Sequence, residues 1–452
     1  MDPIQDSQGA LRAFLTRHPD TRHIDAFVFD LNGNTFGKRY PIGDAASLFA
    51  KGMRFSPAGI VYDARGKSLG VGGFSSVDGD PDATGYAIAD LLAPVPWSPT
   101  PAAQVLVDPI SAQGCSLDYD PRAALKRIVA KFAALGLTPV VAFEYEFYLI
   151  EPRCEDGVMA PARCPRTGGR RLSGGCLWTD KLDDFGNVLR RIEDACAAQA
   201  IPCGATSSEY SSTQFEINLH HIADAVRAAD LALLQRRAVR GAARSLGLDA
   251  TFMAKPFPGE AGSGLHVHVS LADQSGENLF DDRRPEGDHR LRAAIGGMKA
   301  SFPEFALAFA PSLNSFRRYV PGVFAPVDGA WGIDNRTVAF RTPREGGAAR
   351  RIEHRIAGAD ANPYMVLTAV LGGILKGLQE DLDPGPPATD GRERARDQRF
   401  PRRLWDAIDG FRRSDLAGAV FGPLRDIYAD QREAEAERLV ADAIEPEWRW
   451  GV

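Results

Sequence analysis

Glu144 and Glu146 stand two residues apart inside residues 139–150, PVVAFEYEFYLI, a run otherwise apolar and aromatic. On a β-strand successive side chains alternate faces, so Ala142, Glu144, Glu146 and Tyr148 share one side, with Val141, Phe143, Tyr145 and Phe147 on the other. Two carboxylates pointing the same way, backed by a greasy face, need a cation or good donors. A single Glu-x-Glu is equally compatible with a solvated strand face, and recurrence decides between the two. In residues 208–219, SEYSSTQFEINL, Gln214, Glu216 and Asn218 alternate with Phe215, Ile217 and Leu219, and Glu209 lies on the same stretch, which reads as a strand with acids on one face. In residues 264–271, GLHVHVSL, His266, His268 and Ser270 alternate with apolar residues. In residues 350–356, RRIEHRI, Arg351, Glu353 and Arg355 alternate with Ile352, His354 and Ile356. One polar face thus recurs on four strands.

That face collects Glu144, Glu146, Glu209, Glu216 and Glu353 with His266, set against Arg351 and Arg355. So many carboxylates cannot converge unneutralised in a medium of reduced dielectric, and divalent metals are the economical answer. Mostly oxygen donors with one imidazole suit Mg²⁺ or Mn²⁺ better than a structural zinc site. Arginines among metal ligands imply an anionic substrate, and a phosphate bridged by Mg²⁺ fits best. The chemistry indicated is phosphoryl transfer without a phosphate loop: Gly66-Lys67-Ser68 resembles the end of one, but Val61 occupies the place of its leading glycine.

The elements that must position these residues follow from pattern. At 452 residues, with 44% hydrophobic and 25% charged, the chain is long enough for two domains. Residues 24–113 read as short strands and turns, with Asn32-Gly33 a hairpin signal. Asp120-Pro121 offers an N-cap and first-turn pair for a helix stopped by Gly136. Further helices are expected over residues 182–200, 222–246, 289–309 and 364–379, an exposed loop over 381–401, and two helical stretches at the end. The fold class is α+β, divided into residues 1–117 and 118–452. No run of about 18 apolar residues and no signal-peptide core is present, which excludes a membrane partner and points to the cytoplasm. A net charge of -6 without a basic stripe excludes nucleic acid. Five of the six cysteines (Cys154, Cys164, Cys176, Cys196 and Cys203) cluster, but with no C-x-x-C spacing and no histidine among them they read as reduced thiols.

The motifs resemble the glutamine synthetase family over essentially the whole chain. They are FEYEF at 143–147, EYSSTQFEIN at 209–218, KP at 255–256, GSGLHVHVSL at 262–271, RRYVPG at 317–322, NRTVAFRTP at 335–343, and RRIEHR followed by ANPY at 350–364. The resemblance implies a small N-terminal β-grasp domain followed by a large catalytic domain with a curved antiparallel sheet flanked by helices. It implies two or more metal ions per site: Glu146, Glu209 and Glu216 match the ligands of the first, and Glu144, His266 and Glu353 those of the second. Gly262, Arg318 and Arg355 match glutamate-binding positions. His268, Ser270, Arg336, Arg341 and Arg351 match positions around ATP, with Arg336, Glu146 and Glu209 at the reacting centre. The implied reaction is attack of the γ-carboxylate of glutamate on ATP, then attack of an amine on γ-glutamyl phosphate, in a dodecamer of two hexameric rings with sites between subunits.

The sequence departs from the ammonia-using members at the amine. Those carry a glutamate after R-x-V-P-G, in G-Y-E-A-P, where this chain has Gly322-Val323-Phe324-Ala325-Pro326. They also carry a D-G-S-S latch, where the matching segment here, GMRFSPAG, has no aspartate and presents Phe55. Phe324 and Phe55 are therefore the expected amine-pocket residues, and a phenyl ring packs against carbon or holds a cation on its face. Ala261 and Ala348 also stand where ammonia-using members have Asn and Lys. The NRT and DGAWGIDN context and the N-terminal DLNGNTFGKR resemble the γ-glutamylpolyamine synthetase (glutamate–putrescine ligase) branch. The leading expectation is an ATP-dependent ligase joining glutamate to a polyamine or other primary amine. The alternatives are an ammonia-using glutamine synthetase with a rearranged ammonium site and a non-catalytic homologue, the latter disfavoured because every metal-ligand position is retained.

Overall fold

A computed structural model of the chain describes residues 3–73, 79–152, 159–171, 174–320, 325–391 and 394–442. The chain begins with helix α1 (Pro3–Arg17), ahead of the stretch from residue 24 that reads as strands and turns and not among the expected helices. Strands β1 (His23–Phe29) and β2 (Thr35–Pro41) follow as an antiparallel hairpin. Asp30 shapes its turn by accepting the backbone N–H of Asn32 at 2.9 Å and of Asn34 at 2.7 Å. Gly33 there takes φ +71°, a conformation that glycine adopts without steric cost. Helix α2 (Ala45–Lys51) and strands β3 (Met53–Phe55), β4 (Ala83–Ala87), β5 (Ala93–Pro94) and β6 (Ala102–Ile110) complete a first sheet. Its order is β2-β1-β6-β4-β3 with β5 on β6, and only β1 and β6 run parallel, at the centre, the β-grasp arrangement.

Helix α3 (Pro121–Ala134) opens the second layer system, its N-terminus capped by Asp120, which accepts from the Arg122 N–H at 3.0 Å. There follow β7 (Thr138–Ile150), α4 (Thr179–Asp184), α5 (Gly186–Ala198), β8 (Cys203–Ser208), β9 (Gln214–Leu219), α6 (Ala225–Ser245), β10 (Asp249–Thr251) and β11 (Leu265–Ala272). Next come α7 (Gly287–Ser301), α8 (Ala306–Phe309), β12 (Trp331–Ile333), β13 (Phe340–Thr342), β14 (Ile352–His354), α9 (Pro363–Glu380), α10 (Leu404–Arg413), α11 (Asp415–Phe421) and α12 (Leu424–Asp442). The second sheet has the order β12-β13-β14-β11-β7-β9-β8, with β10 on β7. It is mixed and not purely antiparallel, because β12 pairs parallel to β13. Both are three-residue strands at one end of the sheet, too short to leave a periodic signal in the sequence.

The apolar side of β7, with Val141, Phe143, Tyr145 and Phe147 all fully buried, packs against α6. Each such side chain removed from water contributes roughly 1.5–3 kcal/mol, so this face fixes which side of the sheet is left for polar groups. Two expected helices are divided. The 182–200 helix breaks at Phe185, whose backbone is not helical, and the 289–309 helix breaks before Pro303, which lacks the N–H a helix interior needs. The described part of the 381–401 loop contains no helix or strand. Asn362 ties α9 to the β1–β2 turn of the first sheet: its Oδ1 caps α9 at the Tyr364 N–H (2.9 Å), while its Nδ2 donates to the carbonyls of Asp30 (3.1 Å) and Leu31 (3.3 Å). Among the described residues no helix is long and apolar enough to cross a membrane.

Candidate active site

Strand register turns four separate alternations into one surface. In the β11–β7–β9 pairing His266 stands opposite Glu144 and Glu144 opposite Asn218, while Glu146 stands opposite Glu216 one rung along. On the other side of β11, His268 stands opposite Glu353, and Glu353 opposite Arg341. Because side chains on adjacent strands at one register level share a face, Arg341, Glu353, His268, His266, Glu144, Glu146 and Glu216 are neighbours in space.

The distances bear this out. His268 Nε2 lies 2.9 Å from Glu144 Oε1, and His266 Nδ1 lies 3.4 Å from Glu144 Oε2, 3.8 Å from Glu353 and 3.9 Å from Glu216. The other ring nitrogen of His266 is 3.8 Å from Glu146. Glu353 is held from both sides, by Arg341 Nη1 at 2.6 Å and by Arg355 Nη1. Arg341 also reaches Asp334 at 2.9 Å. Glu146 accepts from the Gly264 N–H at 2.8 Å and from Gln214 Nε2 at 3.3 Å, and Asn218 Nδ2 donates to Glu144 at 3.3 Å. Two groups of three donors lie mutually within 4.8 Å, namely Glu144, His268 and Glu353, and Glu144, Glu216 and His266. Carboxylate oxygens with imidazole nitrogens at this spacing are a donor set that fits divalent cations.

The electrostatics describe an acidic cluster short of positive charge. Burial raises the Glu216 carboxyl well above its ordinary value, and the charges of Glu144, Glu146, Glu209 and Glu353 add to that. Burial, then the Glu146 charge, pushes Glu209 up to about 7. For Glu353 burial is outweighed by Arg355 and the two histidines, which hold it at about 2. Glu144 likewise stays well below the usual range, burial being overcome by its bonds to His266 and His268.

The remaining expected residues fall into several positions. Glu209 is not on a strand: its N–H bonds to the Gln214 carbonyl at 2.9 Å, closing a turn between β8 and β9. An odd spacing from Glu216 would put the two on opposite faces of one strand, and the reversal of the chain removes that conflict. Arg336 is exposed and its charge acts on Glu209. Arg351 Nε donates to His268 Nδ1 at 3.3 Å, and Ser270 continues the His266–His268 face, half-buried. Arg318 is buried, donating to the carbonyls of Ile356 (2.6 Å) and Arg355 (3.3 Å). It packs against Gly262, where a Cβ would come within 2.7 Å of its side chain, and Gly262 O accepts from Gln214 at 3.0 Å. Arg355 Nε is buried with no described partner. Phe55 does not join the group: it is 3% exposed, edge-on to Phe36 in the core of the first sheet, so in this chain it offers no surface to an amine. Phe324 lies outside the described residues.

Sequence reasoning missed Lys181. It has no exposed surface and its Nζ bonds to the carbonyls of Glu209 and Ser211. Nothing in the polar helix TDKLDD marks it as buried. The supporting amides of Gln214 and Asn218 carried a signal, since both lie on the polar face of β9, but alternation alone assigns them no partner.

Comparison with known proteins agrees with this geometry. Residues 118–450 match the family model described as glutamine synthetase, catalytic domain. The chain is 34% identical over 443 residues to the γ-glutamylputrescine synthetase PuuA of Escherichia coli (strain K12), covering 97% of this chain and 93% of that one. It is 31% identical to a glutamate–isopropylamine ligase of a Pseudomonas species, covering 91% and 90%. A solved structure described as apo GmaS without ligand superposes with a TM-score of 0.81 at 25% identity, covering 95% and 96%.

Proposed function

The chain belongs to the glutamine synthetase family, and from that premise we propose that it couples ATP cleavage to formation of an amide between the γ-carboxylate of glutamate and a carbon-bearing amine, a polyamine or another primary amine. It is an ATP-dependent glutamate–amine ligase. The observation that carries the reading is the polar face itself, in which Glu144, Glu146, Glu216, Glu353, His266 and His268 converge beside Arg341 and Arg355.

Divalent cations, for which we favour Mg²⁺ or Mn²⁺ at two or more positions, supply neutralisation of the ATP phosphates when bound. Glu146, Glu209 and Glu216 would hold one, and Glu144, His266 and Glu353 another. Gly262, Arg318 and Arg355 would orient glutamate. Arg336 and Arg341, with His268, Ser270 and Arg351, would lie along ATP, Arg341 being kept extended by Glu353 and Asp334. The glutamate γ-carboxylate oxygen bonds to the γ-phosphorus as the bond to ADP breaks. The amine nitrogen, having lost a proton, then bonds to the acyl carbon of γ-glutamyl phosphate as phosphate leaves. Fixed guanidinium groups are suited to the negative charge that develops on the transferring phosphoryl oxygens.

Phe324 would face the amine, where a glutamate in ammonia-using members would pair with ammonium. What supports a domain boundary near residue 117 is that the first sheet ends at Ile110 and the second begins at Thr138. We further propose a dodecamer of two hexameric rings, and a cytoplasmic setting in keeping with the free cysteines.

The test is phosphate release over a panel of amines that includes ammonium, diamines, alkylamines and aromatic amines, with mass analysis of the product. A carbon-bearing amine is expected to exceed ammonium by one or two decades in kcat/KM, since each methylene contributes roughly 1–3 kcal/mol in an apolar pocket. Ammonium serving as well as any amine would overturn the reading in favour of an ordinary glutamine synthetase.

A further inference from the structure

A cavity of about 710 Å³ lies between the turn of the β1–β2 hairpin, the residues after β5, and helices α5 and α6, and none of the carboxylates of the polar face lines it. Its walls carry Arg236, Arg237, Arg240 and Arg244 from α6, Arg191 from α5, and Trp97. The helical repeat explains the clustering: residues 236, 240 and 244 form one ridge, and residue 237 lies beside 240. Trp97 can lie flat on α6 only because residue 241 is glycine, where a Cβ would come within 2.4 Å of the indole.

The charge in this cavity is unbalanced. Arg244 bonds to Asp249 at 3.0 Å. Arg237 donates its Nε to Gln104 at 2.8 Å and is 3.7 Å from Asp25, whose carboxylate is already engaged by Nε and Nη2 of Arg39 at 2.7 and 3.0 Å. Arg191, Arg236 and Arg240 have no carboxylate at ion-pair distance among the described residues; Arg191 donates to the Pro96 carbonyl at 2.7 Å. The Nε atoms of Arg236 and Arg240 are both buried without a hydrogen-bond partner, and the ring of Phe252 serves both guanidinium groups, at 5.5 and 5.6 Å. Burial, then the neighbouring Arg236 charge, brings Arg240 down to about 9. Like charges held together in a partly enclosed space repel unless an anion lies between them, and guanidinium forks match the oxygens of phosphate and carboxylate two at a time.

We propose that this cavity is a binding site, separate from the ligase centre, for a small oxyanion of two or more negative charges, phosphate- or carboxylate-bearing. Arg237 and Arg240 engage its oxygens and Trp97 covers one side. The three guanidinium groups without a carboxylate, Arg191, Arg236 and Arg240, exceed what a single monoanion balances, and the space accommodates a molecule well above the size of one phosphate.

The experiment is calorimetric titration of the full chain with pyrophosphate in one arm and citrate in the other, each with saturating ADP and Mg²⁺ present to occupy the ligase centre. Binding is expected in at least one arm, and which arm responds names the source of the anion. Arg237→Gln with Arg240→Gln should weaken that binding at least tenfold while the ATP KM of the ligase reaction changes less than twofold. Arg240→Lys, which keeps the charge and loses the fork, should weaken it several-fold and serves if the double substitution does not fold. Absence of binding in both arms, or binding unchanged by the substitutions, overturns the proposal. Because the arginine dependence is read without turnover, the result stands apart from the identity of the ligase reaction.

Discussion

Lys181, with no exposed surface, donates its Nζ to the main-chain carbonyl of Glu209 at 2.7 Å and to that of Ser211. The bond fixes the turn from which Glu209 is presented, while burial brings the ammonium down to about 8 and the Glu209 charge opposes this. An ammonium buried in this way is stable only because its donors are used.

Lys181→Met keeps the length of the side chain and leaves two carbonyls without their donor. Melting temperature should fall by the equivalent of roughly 1–3 kcal/mol per orphaned group. If Lys181 positions Glu209, the divalent-metal concentration giving half-maximal activity should also rise, by about tenfold. A melting shift with an unchanged metal requirement would reduce Lys181 to a packing role.

Glu146 and Glu353 should respond differently to the same truncation. Glu146→Ala should lower kcat/KM by about 10²-fold or more with a modest change in stability. Glu353→Ala leaves Arg341 and the buried Arg355 without their shared carboxylate, and breaking a buried pair from one side costs about 3–5 kcal/mol. Glu353→Gln should recover part of that stability without recovering activity. Phosphate release and calorimetric melting separate the two effects, and an active Glu353→Gln enzyme would contradict the role proposed for this residue.

Asp120 supplies a pH signature. Burial pushes its carboxyl up to about 6, against the opposing bond from the Arg122 N–H. The folded chain therefore keeps a proton between about pH 4 and 6 that the unfolded chain has released. Stability from this group is complete below the unfolded value and is lost as pH rises through 6. Asp120→Asn, which can still cap α3, should be more stable than the parent by about 1–3 kcal/mol at pH 7.5, with the difference vanishing near pH 4. Melting curves at the two pH values test it, and an equal difference at both would rule out the titration.

Phe324→Glu should move preference from carbon-bearing amines toward ammonium, restoring a charged partner while shrinking the apolar volume. The ratio of kcat/KM for the best amine to that for ammonium should fall by at least tenfold. A ratio that stays constant would place amine selection elsewhere.

Period-two alternation made the shared face readable in β7, β9, β11 and β14, because a strand records its buried side in every second residue. It could not disclose that Glu209 sits in a turn, since a change of chain direction leaves no mark on spacing. Lys181 and Phe55 escaped for a related reason: whether a lone side chain is buried depends on elements distant in sequence. In Phe55 that element is the β2 residue Phe36, which covers it. The arginines of α6 carry no sign in the helix pattern of the cavity they line, because the hairpin turn and Trp97 that meet them there are distant in sequence.

The parallel contact between β1 and β6 sets His23 alongside Ala102 and Phe27 alongside Leu106. Neither strand can pair until the intervening hairpin, α2 and three further strands have been brought round, so the centre of the first sheet depends on contacts of long sequence separation. Such closure is slow compared with helix or hairpin formation. A refolding chain should acquire α6 and α9 early and this central pairing late. Until then the open edge of β1 is available to another chain, and aggregation during refolding should begin there.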